Sequence, residues 1–95
     1  MKFDGAVTVV TGAAGGIGSA LGERFHDAGA TVVLSDRAGP SVEALAARLD
    51  ARRPGSAFVV VADVSSEEGN KRLIDEARRV AGRICLLYTS PRPRD

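Results

Sequence analysis

A glycine-rich segment near the N-terminus most constrains what this 95-residue chain can fold into. Residues 11–18 read TGAAGGIG and follow an apolar run at residues 6–10 that is rich in β-branched side chains. Glycines let a backbone turn sharply and approach a ligand without a Cβ atom in the way. A helical pattern of apolar residues begins directly after the glycines. The segment therefore predicts a strand, a tight turn and the start of a helix, in that order.

Such a turn is typical of a phosphate-binding loop. The N-terminus of a helix offers unpaired N–H groups and the positive end of its dipole to an anion. With a strand before it and a helix after it, the loop predicts a dinucleotide site. Asp36, at the end of the second predicted strand, supports this interpretation. An acidic side chain at that place can accept hydrogen bonds from the hydroxyls of a ribose.

Strand and helix patterns alternate three times along the chain. Strands are predicted at residues 6–11, 31–35 and 57–62. Helices are predicted at residues 17–28, from residue 40 to the turn at residues 52–55, and from a Ser65/Glu68 capping box to Gly82. Short connections between alternating elements imply an α/β fold with a parallel sheet and right-handed crossovers.

Helical spacing predicts which side chains of the first helix face the sheet. Ile17, Leu21, Phe25 and Ala28 share one face and are expected to be buried. His26 lies off that face and is expected to be exposed to solvent.

Composition excludes several functional classes. The formal net charge is +1, and the 13 basic residues form no stripe, so a nucleic-acid or anionic-membrane partner is not expected. No apolar stretch approaches the roughly 20 residues of a membrane span. One cysteine and one histidine predict neither a disulfide nor a metal site, and they fit a cytoplasmic protein.

The glycine loop resembles that of the short-chain dehydrogenase/reductase family. The common branch has T-G-x-x-x-G-x-G after its first strand, which Thr11, Gly12, Gly16 and Gly18 match. The extended, epimerase-like branch has T-G-x-x-G-x-x-G, which the chain also matches through Gly15. The loop therefore leaves the branch open, while the DVS at residues 63–65 and the GRI at residues 82–84 favour the common one.

This resemblance implies the N-terminal half of a doubly wound Rossmann fold that belongs to an NAD(P)-dependent oxidoreductase. Such an enzyme transfers a hydride between a nicotinamide and an alcohol or carbonyl substrate, and it is expected to form homo-oligomers. The resemblance assigns cofactor binding to Thr11, Gly12, Ala14, Gly15, Gly16, Ile17, Gly18, Asp36, Arg37, Asp63 and Val64. The alternatives are a fragment of an extended-type nucleoside-sugar epimerase and a stand-alone nucleotide-binding module.

Individual roles follow from the same resemblance. The carboxylate of Asp36 would repel the extra phosphate of NADP, so NAD is favoured, although a basic residue such as Arg37 after the second strand is common among NADP-binding members. Asp63 would bond the adenine amino group and Val64 would pack on its ring. Alternatively, Asp63 caps the third helix and Val64 is an ordinary core residue. Thr11 would brace the loop or contact the ligand.

The last residues depart from the family. Residues 85–95 read CLLYTSPRPRD, where the family has an apolar fourth strand and an Asn-Ala-Gly turn. The peptide resembles the translation of a transposase-type sequencing adapter and differs from it at Arg92, where the adapter encodes serine. We therefore expect a partial dinucleotide-binding domain at residues 1–84 and a non-native tail at residues 85–95. The apolar residues 84–88 are able to mimic the missing strand.

No catalytic residue is predicted. Tyr88 and Arg92 imitate the family's Tyr-x-x-x-Lys spacing, but Pro91 and Pro93 oppose a helix there. Arginine also stays protonated and differs in geometry from the lysine of the family. The chain is expected to bind a cofactor and to be inactive as an enzyme.

Overall fold

The chain forms a four-stranded parallel sheet with helices between the strands. The computed structural model describes residues 6–13, 15–37, 39–63, 66–82 and 86–88. The sheet order is β3-β2-β1-β4, and every pairing is parallel. The elements in chain order are β1 (Val7–Thr11), α1 (Gly16–Asp27), β2 (Thr31–Asp36), α2 (Gly39–Arg52), β3 (Ala57–Val61), α3 (Glu67–Ala81) and β4 (Leu86–Tyr88). The predicted α/β fold with its parallel sheet is confirmed.

Strand β1 lies inside the sheet, between β2 and β4. All five of its residues are buried, as predicted for a strand that is covered on both faces. One face of the sheet packs against α2 and Phe25 of α1, and the other packs against Leu73 and Ala77 of α3. Helices therefore cover both faces, which is the arrangement of a doubly wound sheet.

The short strand β4 extends the sheet beyond β1. Thr8, Val9 and Val10 pair in parallel with Leu86, Leu87 and Tyr88 respectively. The described part of the segment therefore forms a strand at the position expected for the fourth strand, beside β1. Cys85, Pro91, Arg92 and Pro93 lie outside the described residues.

The buried stripe of α1 differs from the predicted one. Ile17 is 71% exposed, so the prediction that it faces the sheet is wrong. Gly18, Gly22 and His26 are the buried residues of this helix. They follow one another at four-residue spacing, so they form one stripe. A Cβ atom on Gly22 would lie 2.9 Å from Cδ2 of Leu34, which shows how closely the helix backbone approaches β2.

His26 is not a surface residue, contrary to the prediction. Its side chain is 1% exposed, and its Nε2 atom lies 2.7 Å from Oγ of Ser56. The turn before β3 covers this end of α1, and hydrophobic periodicity does not predict such a long-range contact. One ring nitrogen, Nε2, thus has a polar partner, which offsets part of the cost of burying the imidazole.

The N-cap of helix α3 lies one residue later than predicted. Its N-cap is Ser66, whose Oγ accepts a hydrogen bond from the N–H of Gly69 at 2.9 Å. The predicted cap, Ser65, lies outside the described residues. Glu67 and Glu68 stand in the first turn, where negative charge is favourable at the positive end of the helix dipole.

Replacing Ser66 by alanine is expected to lower the free energy of unfolding by about 1 kcal/mol, because the N–H of Gly69 loses its acceptor. Urea denaturation followed by circular dichroism measures this loss. A Ser19→Ala variant serves as the control, because the Oγ of Ser19 bonds only the carbonyl of Gly16 at an exposed position. Equal stability of the Ser66→Ala variant and the unaltered chain would contradict the assignment of the cap.

Candidate nucleotide-binding site

The turn between β1 and α1 is closed by backbone contacts. Gly12 has a φ of 67°, a conformation that favours glycine. The N–H of Gly15 bonds the carbonyl of Gly12 at 3.0 Å, and the N–H of Ala13 bonds the carbonyl of Ser35 on β2 at 3.0 Å. The loop is therefore tied both to itself and to the neighbouring strand. Ala14 lies outside the described residues.

Gly18 packs against this turn without room for a side chain. A Cβ atom on Gly18 would collide with the carbonyl oxygen of Gly12, and it would lie 2.8 Å from the carbonyl carbon of that residue. The same atom would be 3.1 Å from Cα of Ala13. The first turn of α1 is thus held directly against the glycine turn. A glycine is required here by the packing of backbone on backbone.

The N-terminus of α1 is accessible and has no side-chain cap. Gly15 is the N-cap residue, and it provides no side-chain hydrogen bond. No acidic residue stands in the first turn, and Gly15, Gly16 and Ile17 are exposed. Donors at such a helix end are suited to bind an anionic group.

Asp36 is the last residue of β2, so it lies at the carboxyl end of the strands, where the glycine turn also begins. Its partner in register is Val61 of β3, while Thr11 of β1 pairs with Ser35. The carboxyl ends of the three strands therefore lie together, where ligands bind in open α/β sheets. One carboxylate oxygen of Asp36, Oδ1, accepts a hydrogen bond from the N–H of Arg37 at 2.7 Å. The backbone thus helps to hold this half-buried carboxylate.

Asp63 follows β3 and is exposed. Its carbonyl oxygen accepts hydrogen bonds from the N–H of Ser66 at 3.3 Å and from Oγ of Ser66 at 3.1 Å. The N-cap of α3 is Ser66, so the alternative prediction that Asp63 caps this helix is wrong. Val64, the other predicted adenine contact, lies outside the described residues.

Two large apolar side chains are exposed in the described part of the chain, and both stand at this end of the sheet. Ile17 is 71% exposed at the start of α1, and Val61 is 39% exposed at the end of β3. Ile17 was among the predicted cofactor residues, but Val61 was not. The available signal was its position at the carboxyl end of a strand, next to Asp36 in register.

Two features are absent from the described residues. These residues contain no cluster of three or more His, Cys, Asp or Glu side chains that is arranged to hold a metal ion. Within the same ranges, no helix combines the length and the apolar character needed to cross a bilayer.

A parallel sheet with β1 inside it, helices on both faces and a glycine turn after β1 define half of a doubly wound α/β domain. The family model described as short chain dehydrogenase matches residues 6–90. The chain belongs to this family, which consists of oxidoreductases that use NAD(P) cofactors.

Curated relatives agree with this assignment. The chain is 40% identical over 90 residues to meso-2,3-butanediol dehydrogenase of Serratia marcescens, covering 95% of this chain and 35% of that protein. It is 33% identical over 97 residues to glucose 1-dehydrogenase of Gluconobacter oxydans, covering 97% of this chain and 36% of the relative. These names favour the dehydrogenase prediction over the epimerase alternative.

Solved structures give the same result. A short chain dehydrogenase from Mycobacterium smegmatis is similar with a TM-score of 0.83 and 37% identity, over 90% of this chain and 36% of that one. A hydroxysteroid dehydrogenase from Escherichia coli is similar with a TM-score of 0.86 and 31% identity. The match covers 93% of this chain and 36% of that one. The chain spans about a third of the length of these relatives and covers the N-terminal region, where the cofactor-binding segment of the family lies.

Proposed function

We propose that this chain is the cofactor-binding portion of an NAD-dependent short-chain dehydrogenase. The intact enzyme would transfer a hydride between the nicotinamide and an alcohol or carbonyl carbon of a small substrate. The observation that supports this most is the close packing of Gly18 on the carbonyl of Gly12, beside an accessible helix N-terminus. The packing holds the first turn of α1 against the glycine turn, and the exposed, uncapped N-terminus of the helix suits the approach of a pyrophosphate to its N–H groups.

The cofactor-binding residues divide by the part of the dinucleotide that they would contact. The pyrophosphate would be held by the backbone of six residues in the glycine segment: Gly12, Ala14, Gly15, Gly16, Ile17 and Gly18. Thr11, at the end of β1, would brace the turn. Asp36 would accept hydrogen bonds from the adenosine ribose. Asp63 and Val64 would contact the adenine, and the exposed Val61 adds apolar surface at the end of β3.

The preference for NAD over NADP rests on Asp36. Its carboxylate is held by the backbone N–H of Arg37 at the mouth of the predicted ribose site. A second negative charge on the ribose would be repelled there. The side chain of Arg37 is exposed and would compensate only weakly, because solvent screens exposed charge pairs.

Titrating the isotope-labelled 95-residue chain with NAD and with NADP, followed by amide chemical shifts, tests this proposal. We expect NAD to change the chemical shifts of the Gly12, Gly15 and Gly16 amides. The dissociation constant should lie above the micromolar range. An Asp36→Ala variant should bind NAD about tenfold more weakly, since a hydrogen bond to a charged group contributes about 1.5–3 kcal/mol and this one is half exposed.

An Asp75→Ala variant is the matched control, because Asp75 is an exposed acid on α3, far along the chain from the glycine turn. It should bind NAD as the unaltered chain does. Tighter binding of NADP than of NAD, or equal weakening in both variants, would contradict the assigned role of Asp36.

We also propose that the chain as it stands does not turn over a substrate and that its last residues are foreign to the gene. The family's serine, tyrosine and lysine have no counterpart in this sequence, and Tyr88 and Arg92 do not replace them. Sequencing the source gene tests the origin of residues 85–95. Genomic DNA that encodes this peptide in frame would refute the proposal that it is translated adapter sequence. We place the intact enzyme in the cytoplasm as a homo-oligomer.

A further inference from the structure

A buried polar cluster joins the C-terminal end of α1 to the turn before β3, at the opposite end of the helix from the glycine turn. Its centre is His26, which is 1% exposed, and its partner Ser56 is 3% exposed. The two side chains meet at 2.7 Å between Nε2 and Oγ. The proposed cofactor site uses neither residue, so the cluster needs an explanation of its own.

The hydrogen bonds determine which ring nitrogen of His26 carries the proton. The hydroxyl of Ser56 donates its one hydrogen to the carbonyl oxygen of Arg53. Its Oγ is therefore the acceptor toward His26, so Nε2 must be the protonated nitrogen. The other nitrogen, Nδ1, is buried and has no hydrogen-bond partner among the described residues. The neutral ring fits this environment, and a second proton on Nδ1 would have no acceptor.

Arg53 already provides the positive charge at this helix end. Its guanidinium donates to the carbonyl oxygens of His26 at 3.1 Å and of Ala30 at 2.6 Å. A charged histidine near a helix C-terminus is usually favourable, by up to about 2 kcal/mol. Here the carbonyl oxygen of His26 already accepts a hydrogen bond from the Arg53 guanidinium, and the imidazole ring is shielded from water. Both features oppose a second positive charge.

The remaining charged groups around His26 are largely engaged elsewhere. On α1, Asp27 pairs with Arg52 at 3.3 Å. The second partner of Arg52 is Glu23, at 3.2 Å. On α2, Oδ1 of Asp50 accepts from the N–H groups of residues 55, 56 and 57, at 2.9, 3.0 and 3.3 Å. The two aspartates attract a charged histidine, but burial and Arg53 outweigh them.

We propose that His26 is a pH-sensitive latch: the neutral ring fastens the C-terminal end of α1 to the turn before β3, and protonation releases it. Burial, followed by the charge of Arg53, lowers the pKa of His26 below its ordinary value of 6.5. The unfolded chain therefore takes up the proton first as the pH falls. The contribution of the latch to stability is complete above pH 6.5 and is lost as the pH falls from there through the folded-state pKa.

The chain contains one histidine, so its imidazole signals can be assigned without ambiguity. Nitrogen-15 correlation spectra of the full chain should show a proton on Nε2 and none on Nδ1 at pH 7.5, with titration below pH 6.5. Amides of Gly29 and Ser56 should lose protection against hydrogen exchange as the ring titrates. A ring protonated on Nδ1, or one that titrates at or above pH 6.5, would overturn the proposal.

Stability measurements on a His26→Gln variant provide the second test. Glutamine keeps an N–H that can reach Ser56 and does not titrate. Between pH 7.5 and pH 5, the unfolding constant of the unaltered chain should rise about threefold to tenfold more than that of the variant. Ser56→Ala should raise the unfolding constant at both pH values and leave the titration of the ring in place. Equal pH dependence with and without His26 would refute the latch, and the spectra of the unaltered chain decide the question if a variant fails to fold.

Discussion

Replacing Gly18 by alanine is expected to cost at least about 3 kcal/mol of unfolding free energy, at the upper end of the usual effect of overpacking. The added Cβ atom would collide with the carbonyl oxygen of Gly12, which is backbone and cannot move aside by a rotamer change. A domain of this size has a total stability of about 5–15 kcal/mol, so the loss is a large fraction of it. Urea denaturation followed by circular dichroism measures the change.

Gly16→Ala is the matched control for this prediction. Both glycines belong to the first turn of α1 and to the glycine motif, but a Cβ atom on Gly16 would have no neighbour within 4 Å. Alanine also has the higher helix propensity, so Gly16→Ala should leave stability unchanged or raise it slightly. If both variants lose the same stability, the close packing of Gly18 on the turn is not the cause.

A Leu34→Ala variant is expected to lose about 2–5 kcal/mol, the usual range for a large-to-small change in a core. Leu34 is fully buried in β2 and lies in one hydrophobic cluster with Val10, Val42 and Leu49. It also fills the space above Gly22, where α1 approaches the sheet. Truncation would therefore leave a cavity between the sheet and two helices. The midpoint of urea denaturation and its slope together give the loss.

Ile17→Ala serves as the control for Leu34→Ala, because it removes a branched apolar side chain that is 71% exposed. We expect a change within about 0.5 kcal/mol, as is usual for surface positions. A large loss from Ile17→Ala would mean that this side chain is buried in solution. A small loss from Leu34→Ala would mean that the core closes over the gap or that β2 is not packed as described.

The strands and the glycine turn were predictable because their signals are local. Residues 6–11 form a near-continuous run of β-branched residues, which is typical of a strand buried on both faces, and the structure has β1 at Val7–Thr11. The glycines of residues 12–18 predict a sharp turn after the first strand, and the structure has a turn there in which Gly12 adopts a φ of 67°. Each prediction needed only the residues of one segment, and the alternation of segments then implied the parallel sheet.

The buried face of α1 was not predictable in the same way. Periodicity assigns the inner face to the largest apolar side chains, which here included Ile17. The sheet approaches the helix along Gly18 and Gly22, where the lack of a side chain allows the backbones to come close. Glycine adds nothing to a hydrophobic pattern. Hydrophobic periodicity therefore cannot predict a helix face that is buried because its residues are small.

The sequence by itself determined the order of the elements, the glycine turn and the acid at the end of β2, because these depend on neighbouring residues and on strand periodicity. Only the tertiary structure decided the environment of His26. The partner of this side chain, Ser56, is separated from it by β2 and α2 along the chain, and packing of the turn before β3 on α1 brings the two together. Contacts across such a separation depend on how the layers assemble, and no local pattern in the sequence records them.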